Sequence, residues 1–152
     1  MWKHTFVTRN LTDQSTTDLE SVGTLRFVDG KLYKWVQYKE GSAAVDGVAD
    51  EVAYYYTLDG YKNNEVTSDL SDSVEIGAGV LQANMDNDVY GWIQIKGAAT
   101  LALALTAGAD GDPLTPTGSA DGTLDVSGAV TDNVCAIAGD ISDKEVICDF
   151  PF

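Results

Sequence analysis

The sequence predicts an all-β protein: a single compact sandwich or barrel of about nine short antiparallel strands, preceded by an extended N-terminal arm. Two observations support this fold class. Asp-Gly, which supplies the positive φ angles of two-residue hairpin turns, occurs five times in 152 residues. Of the 24 acidic residues, 18 are Asp, a residue typical of turns and caps, whereas Glu is common on helix surfaces.

The chain divides into an arm, residues 1–20, and a β-rich body, residues 21–152. The arm starts with a few apolar residues, Trp2, Phe6 and Val7, and continues with the polar run "RNLTDQSTTDLE". That composition favours an extended segment over a core element.

The first hairpin of the body is predicted in "GTLRFVDGKLYKWVQY", with Asp29-Gly30 as its loop. This register places Phe27 opposite Leu32, Arg26 opposite Tyr33 and Thr24 opposite Trp35. Each is a favourable cross-strand pair.

Further strands follow between turn-rich segments. "AYYYTL" is predicted as a strand, the polar stretch "NNEVTSDLSDSVE" as a connection with at most one helical turn, and "EIGAGV" (75–80) as a turn. In "VYGWIQIKG" the residues alternate between two faces, and one face is entirely apolar or small. That face consists of Val89, Gly91, Ile93 and Ile95.

The last third of the chain predicts four more strands. "TLALALT" (100–106) alternates strictly in leucine, which favours a strand over a short helix. "TLDVSG", "DNVCAIAGD" and "KEVICDF" complete the set. Turn signals every eight to twelve residues are typical of a sandwich or barrel.

The charge of the chain restricts its partners. Nine basic residues against 24 acidic ones give a net charge of −15, which argues against nucleic acid and against anionic membrane surfaces as partners. No signal peptide and no apolar stretch long enough to span a bilayer are visible in the sequence. These features predict a soluble protein made in the cytoplasm.

No catalytic motif is evident, and the sequence predicts a protein that is not an enzyme and holds no cofactor. The single histidine, His4, lies in the arm, away from any nucleophile. Cys135 and Cys148 are interpreted as two buried free thiols, with a disulfide left open.

Two binding alternatives also remain open. The loops "MDNDVYG" and "GADGDP" are interpreted as solvated turns, with calcium binding as the alternative. The many aromatic residues are interpreted as core, with a sugar-stacking platform as the alternative.

Several segments resemble the head decoration (cement) proteins of tailed bacteriophages. The resemblance runs through "GTLRFVDGKLYKWVQY", "EIGAGVLQANMDNDVYGWIQIKG", "GDPLT" and "DNVCAIAGDISDKEVICDFPF", over roughly residues 20–152. It implies a non-catalytic structural protein on the outer capsid surface of the virion. Its partners would be the major capsid protein and further copies of itself, with a trimer favoured.

The residues expected to contact the capsid or a neighbouring subunit are apolar and lie near the two ends of the chain. Phe150 and Phe152 are apolar anchors, either within the chain or at an interface. The arm would reach a neighbouring subunit. Two alternatives remain: a glycan- or receptor-binding β module on a virion or cell surface, or a tail or neck component. The expected contact residues are Trp2, Phe6, Val7, Phe150 and Phe152.

Overall fold

A computed structural model describes residues 10–152, apart from the side chain of Leu58. The prediction of an all-β fold is confirmed, with ten strands, one short helix α1 (Thr57–Asn63) and a 3₁₀ turn (Leu70–Asp72) among the described residues. The strands are β1 (Leu25–Val28), β2 (Lys31–Tyr38), β3 (Val52–Tyr56), β4 (Glu65–Thr67), β5 (Ser73–Leu81), β6 (Tyr90–Thr100), β7 (Pro113–Thr115), β8 (Asp125–Val126), β9 (Ala136–Asp140) and β10 (Glu145–Asp149).

All ten strands belong to one sheet that partly closes on itself. The strand order is β1-β2-β4-β3-β5-β6-β10-β9-β7-β8, and β2 also pairs with β6. This additional pairing closes β2, β4, β3, β5 and β6 into a ring, while β10, β9, β7 and β8 extend from β6 as a wing. The result is a sandwich-like body.

One strand pairing departs from the antiparallel pattern expected from the sequence. β2 and β4 pair in parallel, with Gln37 opposite Glu65 and Tyr38 opposite Val66. Parallel neighbours need a crossover connection, and here β3 and α1 lie between the two strands in the chain. The Asp59-Gly60 pair lies inside α1, so it does not form the hairpin turn that Asp-Gly commonly forms.

The predicted first hairpin is confirmed, including its register. β1 and β2 place Arg26 opposite Tyr33 and Phe27 opposite Leu32. Asp29 and Gly30 have φ angles of 50° and 78°, as a two-residue hairpin loop requires.

The predicted two faces of "VYGWIQIKG" are also confirmed. Val89, Ile93 and Ile95 lie in the main core cluster. Gly91 belongs to the same face and leaves room for Met85, because a Cβ at Gly91 would overlap the Met85 side chain.

Residues 75–80 form part of β5, so the prediction of a turn there is wrong. The glycines of this stretch serve close packing. A Cβ at Gly77 would lie 2.8 Å from Phe150 Cε1, and one at Gly79 would lie 2.8 Å from the Gln94 carbonyl oxygen.

The predicted strand over residues 100–106 is also wrong, because β6 ends at Thr100. The next two amides bond to different parts of the chain: Leu101 N–H donates to Lys144 O, and Ala102 N–H donates to Asp50 O. These bonds turn the chain out of the sheet. Leu101 is buried and Leu103 is exposed.

A second apolar cluster lies on the outer face of β2 and β6, beneath residues 10–24. Its centre is Trp35 and Trp92, whose rings meet edge to face with centroids 5.2 Å apart. Leu11 and Val22 pack against this pair. Two backbone hydrogen bonds join Ser15 to Tyr90, at 2.9 and 2.7 Å. The described part of the predicted arm, residues 10–20, therefore lies against the body.

Asp18 fixes this segment to the cluster. Its Oδ1 accepts a hydrogen bond from Trp35 Nε1 at 2.9 Å, and its Oδ2 accepts one from the Val22 N–H at 3.2 Å. Because the Trp35 ring is fully buried, loss of this acceptor leaves a buried donor without a partner.

We expect Asp18→Ala to lower the free energy of unfolding by about 1–3 kcal/mol, since it leaves Trp35 Nε1 unsatisfied. Urea unfolding measures the change, and hydrogen exchange of the Ser15 and Tyr90 amides should accelerate. Asp13→Ala is the control, because Asp13 lies in the same segment and its carboxylate accepts from the Asn10 N–H. Equal exchange rates in the two variants would contradict the role of Asp18.

Candidate interaction surface

Within the wing, strands β9 and β10 have one core face and one solvent face. Along β10, Val146 and Cys148 are buried, while the residues between and beside them are exposed. Along β9, Ala136 and Ala138 are buried and Ile137 is exposed. This two-residue period is that of a strand covering a core on one side.

Strand register aligns four exposed apolar residues across the solvent face. Ile147 lies opposite Ala98 of β6 and opposite Ile137 of β9. Ile137 in turn lies opposite Pro113 of β7. All four are exposed, Ile147 at 52% and Ile137 at 37%. We call Ala98, Ile147, Ile137 and Pro113 the isoleucine row.

Polar and charged residues border the isoleucine row on both sides. On one side, Glu145 pairs with Thr100 of β6 and with Asp140 of β9. On the other side, Asp149 pairs with Lys96, and their side chains form an ion pair. An apolar strip with a polar rim is typical of protein–protein contact sites.

The two C-terminal phenylalanines have different surroundings. Phe150 is fully buried in the main core, and its N–H donates to the Ile95 carbonyl oxygen at 3.0 Å. Phe150 is therefore an anchor within its own chain. Phe152 is 59% exposed, with Lys96 Nζ 5.1 Å from its ring centroid. Its carbonyl oxygen accepts a bond from the Tyr61 hydroxyl at 2.8 Å.

A loop with an exposed apolar tip lies on the same side of the protein as Lys96 and Asp149. Val130 projects fully into solvent. The loop is closed by Asp132, whose Oδ2 accepts from the N–H groups of Gly128 and Ala129, each at 2.9 Å. These hydrogen bonds lower the pKa of Asp132, and the bond from the Ala129 N–H has the largest effect. An open hollow of about 420 Å³ is lined by residues of both regions.

The other predicted contact residues, Trp2, Phe6 and Val7, lie outside the described residues, as does His4. The sequence did not single out Ile137 and Ile147. Both belong to correctly predicted strands, but every position in "CAIA" and "VIC" is apolar. Without alternation between apolar and polar residues, the sequence of these strands does not show which face is exposed.

The aromatic residues considered for sugar stacking lie mainly in the interior. Six of them are buried, and they form no exposed platform: Tyr33, Trp35, Tyr38, Tyr54, Tyr55 and Trp92.

One of these buried tyrosines contacts a buried lysine. Lys34 is 4% exposed and donates to the Tyr55 hydroxyl at 2.8 Å. Its Nζ also lies 5.8 Å from the Tyr61 ring centroid. Burial lowers the pKa of Lys34 to about 8.

The two cysteines are free and buried, as interpreted from the sequence. Burial raises the pKa of the Cys135 thiol, and it raises that of Cys148 to about 12. Because the thiolate is the reactive form, both are unreactive near neutral pH.

Within residues 10–152, no three His, Cys, Asp or Glu side chains are grouped so as to hold a metal ion. No helix in the same range is long and apolar enough to cross a membrane. The chain matches no protein-family model, no curated protein and no solved structure.

Proposed function

We propose that this chain is a non-catalytic structural protein that binds the outer surface of a tailed-phage capsid and stabilises the shell. The isoleucine row is the contact surface, and the major capsid protein is the partner. The observation that carries this proposal is the row itself, in which four exposed apolar residues align across four neighbouring strands. The resemblance of the sequence to decoration proteins supports the choice of partner.

Charge supports the outer location. A protein with a net charge of −15 is repelled by packaged DNA inside a shell, and that repulsion is absent outside it. The acidic rim of the row favours a partner surface with Lys or Arg around an apolar centre. In solution we expect a homo-oligomer, with a trimer as the favoured state.

Co-sedimentation with bare capsids of the protein's own virus tests this function. We expect saturable binding at a fixed ratio to the major capsid protein, and light scattering of the free protein should give the mass of a trimer. A folded protein that does not bind the shells would contradict the function.

A matched pair of double variants tests the surface. Ile137→Thr with Ile147→Thr removes apolar contact while keeping β-branched residues in the strands. We expect capsid affinity to fall at least about tenfold, because each lost contact contributes roughly 1 kcal/mol. Leu19→Thr with Val48→Thr is the control, since these residues are similarly exposed but lie outside the row. If the two double variants bind capsids with equal affinity, the isoleucine row is not the contact surface, and the protein would bind the capsid through another surface.

A further inference from the structure

Asp69 is a buried carboxylate with one unsatisfied oxygen. It is 1% exposed, and it begins the 3₁₀ turn Leu70–Asp72. Its Oδ1 accepts bonds from the Ser71 N–H at 2.9 Å and from the Ser71 hydroxyl at 2.6 Å. Its Oδ2 is buried without any hydrogen-bond partner in the described chain. A buried, unpartnered carboxylate oxygen is costly and needs a positive or donating neighbour.

A second carboxylate approaches the same point. A Cβ at Gly41 would lie 3.2 Å from Asp69 Oδ2 and 2.5 Å from Asp72 Oδ2. Both oxygens therefore approach the same side of Gly41, which brings the two carboxylates close to each other. Asp72 Oδ2 also accepts from the Ser42 N–H, so the loop that contains Gly41 is already attached to the turn.

Lys39 and Lys96 form their ion pairs with other carboxylates, those of Glu65, Asp88 and Asp149. A third carboxylate lies beside the 3₁₀ turn: Asp121 Oδ1 accepts a hydrogen bond from the Leu70 N–H at 2.9 Å. The turn is thus surrounded by negative charge, on a protein whose overall charge raises the local cation concentration.

We propose that Asp69 Oδ2 and Asp72 Oδ2 bind a hard divalent cation, with Ca²⁺ as the best fit. Ca²⁺ takes six to eight oxygen ligands in flexible geometry, so water and backbone carbonyl oxygens can complete a site that starts from two carboxylates. The ion would join the loop at Gly41 to the 3₁₀ turn. With only two carboxylates, affinity belongs in the weak range, at a Kd of about 10⁻⁴–10⁻³ M. This inference does not depend on the proposed capsid function.

Thermal unfolding of the full chain in CaCl₂ tests the site, with ionic strength held constant by NaCl. We expect Tm to rise by about 2–4 °C at 5 mM CaCl₂ and to keep rising with the logarithm of the calcium concentration above Kd. Terbium luminescence provides a binding signal that does not depend on stability. It can be excited through Tyr38, whose hydroxyl accepts from the Ser68 N–H beside Asp69 at 3.1 Å.

Asp69→Asn should abolish both the Tm shift and the terbium signal, and it retains an oxygen that can cap the turn. Asp72→Asn, at a partly exposed position, should do the same and covers the case in which Asp69→Asn does not fold. Asp143→Asn removes an equal charge from another turn and should leave both signals unchanged. The site is excluded if calcium does not raise the Tm of the wild type, if the terbium signal does not saturate, or if Asp143→Asn loses as much of either signal as the two site variants.

Discussion

Replacing Phe150 by alanine is expected to lower the free energy of unfolding by about 3–5 kcal/mol, which is the usual cost of removing a buried aromatic ring. Phe150 is fully buried. Its ring packs so closely on β5 that a Cβ at Gly77 would lie 2.8 Å from it. The cavity would open between β5 and β10, where backbone on both sides limits collapse. Since domains are stable by only about 5–15 kcal/mol, this one change removes a large share of the total.

Phe152→Ala is the matched control for this measurement. It deletes the same ring two residues further on, where the side chain is mostly exposed, and we expect a loss within about 0.5 kcal/mol. Urea unfolding followed by tryptophan fluorescence measures both variants. Similar losses in the two variants would show that the Phe150 ring does not occupy the core as described.

Lys34→Met is expected to stabilise the protein by about 1–3 kcal/mol at pH 7, because it replaces a buried ammonium group by an apolar side chain of similar length. The pKa of Lys34 falls from 10.5 to about 8. By linkage, that difference corresponds to about 3 kcal/mol of unfavourable free energy for the protonated form. The loss of the bond to the Tyr55 hydroxyl offsets part of the gain.

The stabilisation by Lys34→Met should depend on pH in a defined direction. Below pH 8, Lys34 is protonated in both the folded and unfolded states, so the full cost is present. Between pH 8 and 10.5 the folded state loses this proton first, so the wild type gains stability with rising pH and the difference narrows. Burial also raises the pKa of Tyr54 and Tyr55, so neither hydroxyl ionises in the folded wild type over this pH range.

Denaturant unfolding at pH 7, 8, 9 and 10 measures this narrowing. Lys62→Met, on the exposed surface of α1, is the control and should change stability little at every pH. A stability difference between wild type and Lys34→Met that stays constant from pH 7 to 10 would contradict the lowered pKa.

Local rules predicted the elements whose causes are local. The hairpin at Asp29-Gly30 follows from two residues that accept positive φ, and its register follows from the loop length. The two faces of β6 follow from alternation within nine residues. Neither required knowledge of the rest of the chain.

The incorrect predictions concern residues whose conformation depends on distant partners. Gly77 and Gly79 were predicted as turn residues. In the structure they lie in a strand, where Phe150 packs on Gly77 and the backbone of β6 packs on Gly79, so neither position has room for a side chain. Leu101, Leu103 and Leu105 alternate as in a strand, but the amides of 101 and 102 bond to two different elements. The isoleucine row depends on register across four strands, which no single segment contains.

The branched path of the sheet has a mechanical consequence. Of the described ring strands, β6 alone pairs with the wing, and its Ala98 is part of the isoleucine row. Strand pairing therefore carries tension from the row to the ring through β6. In the ring, β6 pairs with β2 over six residue pairs and is also held by β5. The ring has no free end at β6 from which pairing can peel, so the wing should yield to a pulling force before the ring opens.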